Sequence, residues 1–317
     1  MGTLREKMRL SWRATLCARL RILVPCAVRF VCAFVLGRAA LRGTVLPLSL
    51  CFLAAAGGGA YGLSALLGTV TSSLLLPQSA AMAQIAAAIL TVSARMIFRG
   101  TELEEHPLFL PSAAALMTLL VDGLLLLGGI PGLPAAAGCL ARAAIAFGGT
   151  ILLRRCMETL SYGGILVLLG TLIFSAADLH LGQFRIGVFA AVLVVLIAAG
   201  GAAALPAAAA CGIALDCAGT AALPMTAVFA VTALASPPLC RRSRYLPPLA
   251  CTAALGAALW LTGWEGSVFW SALPAAAVSC LLPQRWNQRA ARAARRERPA
   301  AAHMEAAALL LETLCAE

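Results

Sequence analysis

The stretch LFLPSAAALMTLLVDGLLLLGGI, residues 108–130, carries one charged side chain, Asp122. A bilayer core is crossed by about 20 helical residues, with a range of about 17–25. This run is long enough to cross. Similar apolar runs follow at close intervals: 22–37, 44–56, 60–76, 79–98, 134–153, 161–178, 184–200, 202–218, 220–236, 245–262 and 267–283. Those at 44–56 and 202–218 are short and are expected to be tilted, re-entrant or fused with neighbours. The joints are GGGAYG (57–62), GGIPGLP (128–134), GWEG (263–266) and Pro-Pro at 237–238 and 247–248, all read as turns or helix ends.

Composition fixes the medium. The chain is 62% apolar and 12% charged, with a mean hydropathy of +0.93. Soluble domains are about 45–50% apolar and about 25% charged. So much apolar surface with so few charges to cover it must meet lipid. The expected fold is an all-α, polytopic integral membrane helix bundle of about 10–12 transmembrane segments. A basic cytoplasmic segment (1–21) precedes a multispan domain (22–283), and a basic cytoplasmic tail (284–317) follows it.

The formal charge of +11 does not imply nucleic acid, because the arginines sit at the ends of apolar runs. That is where the positive-inside effect puts them. With the N-terminus inside and every run crossing, four basic clusters fall on the inner side. They are Arg95 with Arg99, Arg154 with Arg155, Arg241 with Arg242 and Arg244, and the C-terminal arginines. Arg38 and Arg42 break the pattern, and Arg29 lies within the first run. No small-residue cleavage site follows that run, so the basic N-terminus is read as uncleaved. The expected location is a cell membrane, with both termini cytoplasmic.

Catalytic chemistry is poorly represented. The twelve cysteines form no CxxC pair and no cluster with histidine. Cys26, Cys32, Cys51, Cys139, Cys211 and Cys280 lie in apolar runs, where cysteine behaves as a small hydrophobe. His106, His180 and His303 are far apart, and no nucleophile-elbow, zincin or P-loop motif occurs. TELEEHP (101–107) reads as a solvated loop. Neither an enzyme nor a cofactor is expected.

Polar groups inside a membrane are the default functional candidates. Here they are Asp122, Arg142 and Asp216. Asp122 and Arg142 are mid-run in adjacent segments and are expected to pair; Asp216 lies close to a predicted loop, and Asp178 beside His180 is interfacial. The Ala- and Gly-rich stretch 200–224 should form a tightly packed, broken hairpin, since small residues let membrane helices approach closely. No repeat between the two halves is visible.

The tail begins LPQRWNQRAARAARRERP (282–299). Trp286 is placed as an interfacial anchor, and Arg289, Arg292, Arg295 and Arg296 form a stripe suited to anionic headgroups. Beyond Pro299, Leu310 and Leu314 give a short helix an apolar face for a partner helix or another copy of the chain.

Three stretches carry a family likeness: VLGRAALRGTVLPLSLCFLAAA (35–56), FRIGVFAAVLVVLIAAGGAAA (184–204) and GAALWLTGWEGSVFWSALPAAAVSCLLPQRW (256–286). In this order they resemble the membrane region of stage II sporulation protein E. The matching positions are Gly37, Arg38, Val45, Leu46 and Pro47, then Gly263, Glu265 and Gly266, then Leu281, Leu282, Pro283 and Gln284. The resemblance runs from about residue 20 to 290. It implies a multispan anchor for a cytoplasmic serine phosphatase of the metal-dependent 2C type, and engagement of the tubulin-like division protein at the polar septum. The phosphatase domain itself does not fit in the 34 residues after Pro283. The expected function is therefore a non-catalytic module that positions a cytoplasmic phosphatase or division protein. The rival is a secondary transporter or channel, which would need a polar cavity lined by Asp122, Arg142 and Asp216.

Overall fold

In a computed structural model, each of the twelve apolar runs corresponds to one helix. The structure describes residues 22–41, 44–128, 133–159, 161–199, 201, 203–219, 224–263 and 265–282. The fold is all-α apart from two small antiparallel hairpins. Among the described residues, three helices are long and apolar enough to cross a membrane: Gln78–Ile97, Phe109–Leu127 and Ala135–Thr159. Six shorter ones of 10–17 residues are also apolar. The chain divides into two compact units, Met1–Arg155 and Cys156–Glu317.

The first unit contains α1 (Ile22–Leu36), β1 (Ala40–Leu41), β2 (Thr44–Val45), α2 (Leu48–Ala55), α3 (Ala60–Ser73), α4 (Gln78–Ile97), α5 (Glu102–Glu105), α6 (Phe109–Leu127) and most of α7 (Leu133–Thr159). Helices α1 and α3 run side by side in the same direction. Cys26 lies against Ala60, the Arg29 guanidinium stands 4.0 Å over the Tyr61 ring, and Arg38 Nη1 donates to the Leu75 carbonyl at 2.9 Å. The chain between them must therefore return along their length, and α2 makes that return. At about 1.5 Å per residue its eight residues cover only about 12 Å, too little to span a bilayer. Ser49 through Ala54 are all buried, so α2 has no outer face. It packs on α3, α4 and α6, and its Cys51 thiol donates to the Ile145 and Ala146 carbonyls of α7.

The second unit contains α8 (Tyr162–Ala176), β3 (His180–Leu181), β4 (Phe184–Arg185), α9 (Ile186–Ala198), α10 (Ala204–Ala218), α11 (Met225–Arg242), α12 (Leu246–Thr262) and α13 (Gly266–Leu281). Its helices contact one another in the circular order α8, α10, α11, α12, α13, α9 and back to α8. The core gathers Val188, Val192 and Val195 of α9 with Leu215, Phe229, Leu255, Leu259 and Val268 from the surrounding helices.

The two units repeat one another, which the sequence had concealed. Both read helix, hairpin, buried helix and then four further long helices. β3 starts 140 residues after β1. The hairpin registers match, Ala40 with Val45 in one and His180 with Arg185 in the other. Like α1 and α3, α8 and α10 run in parallel, with Tyr162 donating to the Ala203 carbonyl at 2.9 Å. Helix α5 has no counterpart: in the second unit, α11 and α12 are joined through Ser243–Tyr245 alone.

Two expectations are corrected. Among the described residues of 200–224, Ala204–Ala218 is one continuous helix and not a broken hairpin. Pro206 falls in its first turn, where a missing N–H breaks no bond. Nor do Pro237 and Pro238 end a helix; they lie inside α11, which continues to Arg242. In the preceding turns Thr232 and Ser236 hydroxyls bond back to the Val228 and Thr232 carbonyls. Such local hydroxyl bonds are one way membrane helices tolerate proline.

Candidate functional site

Asp122 of α6 is 5% exposed, and Arg142 of α7 reaches it, Nη1 to Oδ1, at 3.3 Å. Both lie one helix away from Gln84 of α4, itself 4% exposed. The Gln84 amide Nε2 donates to Ser49 Oγ of α2 at 2.5 Å. Four helices thus contribute to one polar cluster in an apolar interior. Asp122 Oδ2, Gln84 Oε1 and Arg142 Nε have no hydrogen-bond partner among the described residues. These side chains, with Pro47, Leu50, Ala83, Ala87 and Thr118, line a chamber of about 10 Å³. That volume admits about one water, which needs two to four polar partners. The chamber offers one donor, Arg142 Nε–H, and two acceptors. It is chemically fitted to one water and too small for a solute.

Repetition gives an internal control. In the second unit, α12 and α13 occupy the places of α6 and α7. They meet through Leu255, Leu259, Ala272 and Ala275, all buried and apolar. Neither α12 nor α13 carries a charged residue, so the Asp122–Arg142 pair has no counterpart in those two helices.

Asp216 stands at the C-terminal end of α10, exposed, in the second unit. Its Oδ1 accepts from the Met225 N–H at 2.7 Å, and Oδ2 accepts from the Thr226 N–H at 3.0 Å and the Thr226 hydroxyl at 2.5 Å. Helix α11 starts after Pro224, which has no capping side chain. Asp216 therefore serves as the N-terminal cap of the next helix, where a carboxylate also complements the positive end of the dipole. Asp216→Ala is expected to lower stability by about 1 kcal/mol, measured by thermal unfolding in detergent. Asp216→Asn should keep most of the loss from appearing, because an amide oxygen still accepts. Equal loss in both variants would remove the capping role.

Other sequence candidates resolve locally. Asp178 is exposed in the turn before β3. Helix α5, within the acidic tract, is exposed or half-buried; Glu104 accepts from the Gly100 N–H at 2.9 Å and pairs with Arg95 Nε at 3.6 Å. Glu265, in the glycine loop before α13, lies 3.8 Å from Arg185 Nη1 on β4. Among the described residues no group of three His, Cys, Asp or Glu is placed to hold a metal. Trp286, Arg289, Arg292, Arg295, Arg296, Leu310 and Leu314 lie outside the described residues, as do residues 1–21.

Sequence reasoning missed Gln84, whose only signal is a single amide in the Ala-rich α4, and Ser49 in a short apolar run. Comparison with protein-family models, with curated proteins and with solved structures finds no match to this chain.

Proposed function

We propose that this chain is a non-catalytic multispan membrane module that holds a cytoplasmic partner at a bacterial plasma membrane, in the manner of the region it resembles in stage II sporulation protein E. The chain crosses an even number of times, ten or twelve, and so ends on the side where it starts, which the basic clusters make the cytoplasmic one.

The outer surfaces support immersion in lipid. Leu67, Met82, Ile89, Leu124, Leu140, Leu234 and Trp260 are all at least half exposed. Apolar exposure on this scale marks an interaction surface rather than a solvated one. The observation that carries the anchor reading over transport is the fate of the interior polar groups. Asp122 and Arg142 pair beside a chamber of one-water size, and Asp216 caps a helix in the other unit. No cavity among those described is lined by all three.

The basic stripe and leucine face of the tail are the proposed handle for the membrane surface and for the partner, which is a phosphatase, the division protein or a second copy. The test is in an endospore-forming cell. A fluorescent fusion should gather at the polar septum, and a chain ending at residue 299 should lose its partner while staying in the membrane. Even distribution around the cell periphery throughout sporulation would overturn the anchor reading. Solute uptake by proteoliposomes that Asp122→Asn abolishes would put transport in its place.

A further inference from the structure

A second cavity of the first unit, about 440 Å³, opens where α2 ends, α3 begins and α4 ends. Its volume lies within the roughly 300–1,000 Å³ typical of small-molecule sites. Its walls differ from one end to the other. Leu63, Leu66, Val92 and Met96 make one side apolar, while Arg95, Arg99 and Glu104 make the other charged. The neighbouring groove between α4, α6 and α7 is larger, about 540 Å³, but Ser112 is the one hydroxyl in a lining otherwise apolar. Of the two, the smaller joins apolar length to paired guanidinium groups.

Two features tune it for an anion. Backbone rather than side chains forms part of the rim, because Gly57, Gly58, Gly59 and Gly62 line it. The Arg95 guanidinium lies 3.8 Å from where a Cβ of Gly58 would stand, so Arg95 lies against this rim. The second feature is Glu104. It is delivered by α5, the one element of the first unit without a counterpart in the second, and it holds Arg95 at 3.6 Å. Arg95 is about one-fifth exposed and therefore reachable, while Arg99 is exposed. The rim thus carries two cations and one internal competitor.

We infer that this pocket seats one anionic phospholipid, its phosphate on Arg95 and Arg99 and an acyl chain along Leu63, Leu66, Val92 and Met96, with Glu104 competing for Arg95. The inference rests on the membrane reading above, which puts Arg95 and Arg99 on the cytoplasmic side, where anionic lipid is concentrated. A guanidinium takes a phosphate through paired N–H bonds, which outmatches the single 3.6 Å contact with Glu104. The apolar wall is what selects a lipid over free phosphate.

The experiment titrates the purified full-length chain, in uncharged detergent, with short-chain phosphatidylglycerol, read by native mass spectrometry. One phosphatidylglycerol should bind, more weakly as salt rises. Arg95→Gln with Arg99→Gln should weaken it by about tenfold or more, and Glu104→Gln should tighten it. The opposite sign of the glutamate variant separates ligand competition from damage to the fold, and thermal unfolding of each variant checks folding directly. Equal binding of phosphatidylcholine, unchanged binding in the arginine variant, or weaker binding in Glu104→Gln would each overturn the site. Competition by inorganic phosphate at the same concentration as phosphatidylglycerol would assign the rim to free phosphate and overturn the lipid. Retention of the chain in carbonate-washed membranes reports the membrane reading separately.

Discussion

Gly212→Val is expected to remove most of the folded protein from the membrane, whereas Gly148→Ala should accumulate like the wild type. Both glycines are mid-helix, so helix propensity alone would favour either replacement. What differs is the space beside them. A Cβ at Gly212 would collide with the backbone of Thr226 in α11, but nothing lies within 4 Å of one at Gly148. Helices α10 and α11 form the most extensive helix pair of the second unit, so this contact cannot widen without disturbing Leu215, Met225 and Phe229, all fully buried. Overpacking a tight interior costs about 1–3 kcal/mol, and more where backbone must move. In lipid there is no hydrophobic gain to draw the helices back together, because the alternative surroundings are equally apolar. The measurement is the monodisperse fraction after detergent extraction. Normal yield from Gly212→Val would mean that α10 and α11 do not approach as described. The same argument explains why the Ala- and Gly-rich stretch is built as it is: its small residues are the contact surface of one unbroken helix.

Continuous apolar runs located the twelve longer helices, because run length and hydropathy mark them together. They left α2 open as a tilted, re-entrant or fused segment, since a short helix buried on all sides and a short lipid-facing one have the same composition. The repeat was hidden for a related reason. Across Ala40–Val45 and His180–Arg185 the hairpins share only Leu41 and Leu181, because their geometry depends on chain length and backbone pairing. In a medium where leucine, valine and alanine substitute for one another, two copies diverge in sequence while keeping helix order. Asp216 was read as an intramembrane candidate because its partners lie nine and ten residues on, across a Gly and Pro joint that composition does not orient. The Arg29 exception within the first run is accounted for by a neighbour the sequence could not identify, the Tyr61 ring, whose face attracts a cation.

The Asp122–Arg142 pair carries the second large expectation. Asp122→Asn alone and Arg142→Gln alone should each sharply reduce folded protein, while the double variant recovers part of the loss. Each single change leaves a charge in an apolar interior without its counter-ion, which costs about 3 kcal/mol or more. The double change leaves two neutral amides beside Gln84 and Ser49, all of which can bond to one another or to a water in the chamber. Removing both charges therefore costs less than removing either. The ordering of the two singles is informative as well. Arg142 is 26% exposed at its side chain and Asp122 5%, so an unpaired arginine can reach toward the polar boundary while an unpaired carboxylate cannot. Arg142→Gln, which strands the aspartate, should be the more damaging. Folded yield and thermal midpoint in detergent measure all three variants, and a double-mutant cycle gives the coupling directly. Additive losses in the double variant would dissolve the pair as a structural unit. A third variant, Gln84→Leu, removes the amide oxygen from the chamber while leaving both charges in place. It should weaken the protein only modestly, because it deletes the amide donor to Ser49 and one acceptor of the chamber but leaves the Asp122–Arg142 contact in place. If Gln84→Leu instead matched the loss in Arg142→Gln, the interior would be held by the amide and not by the ion pair.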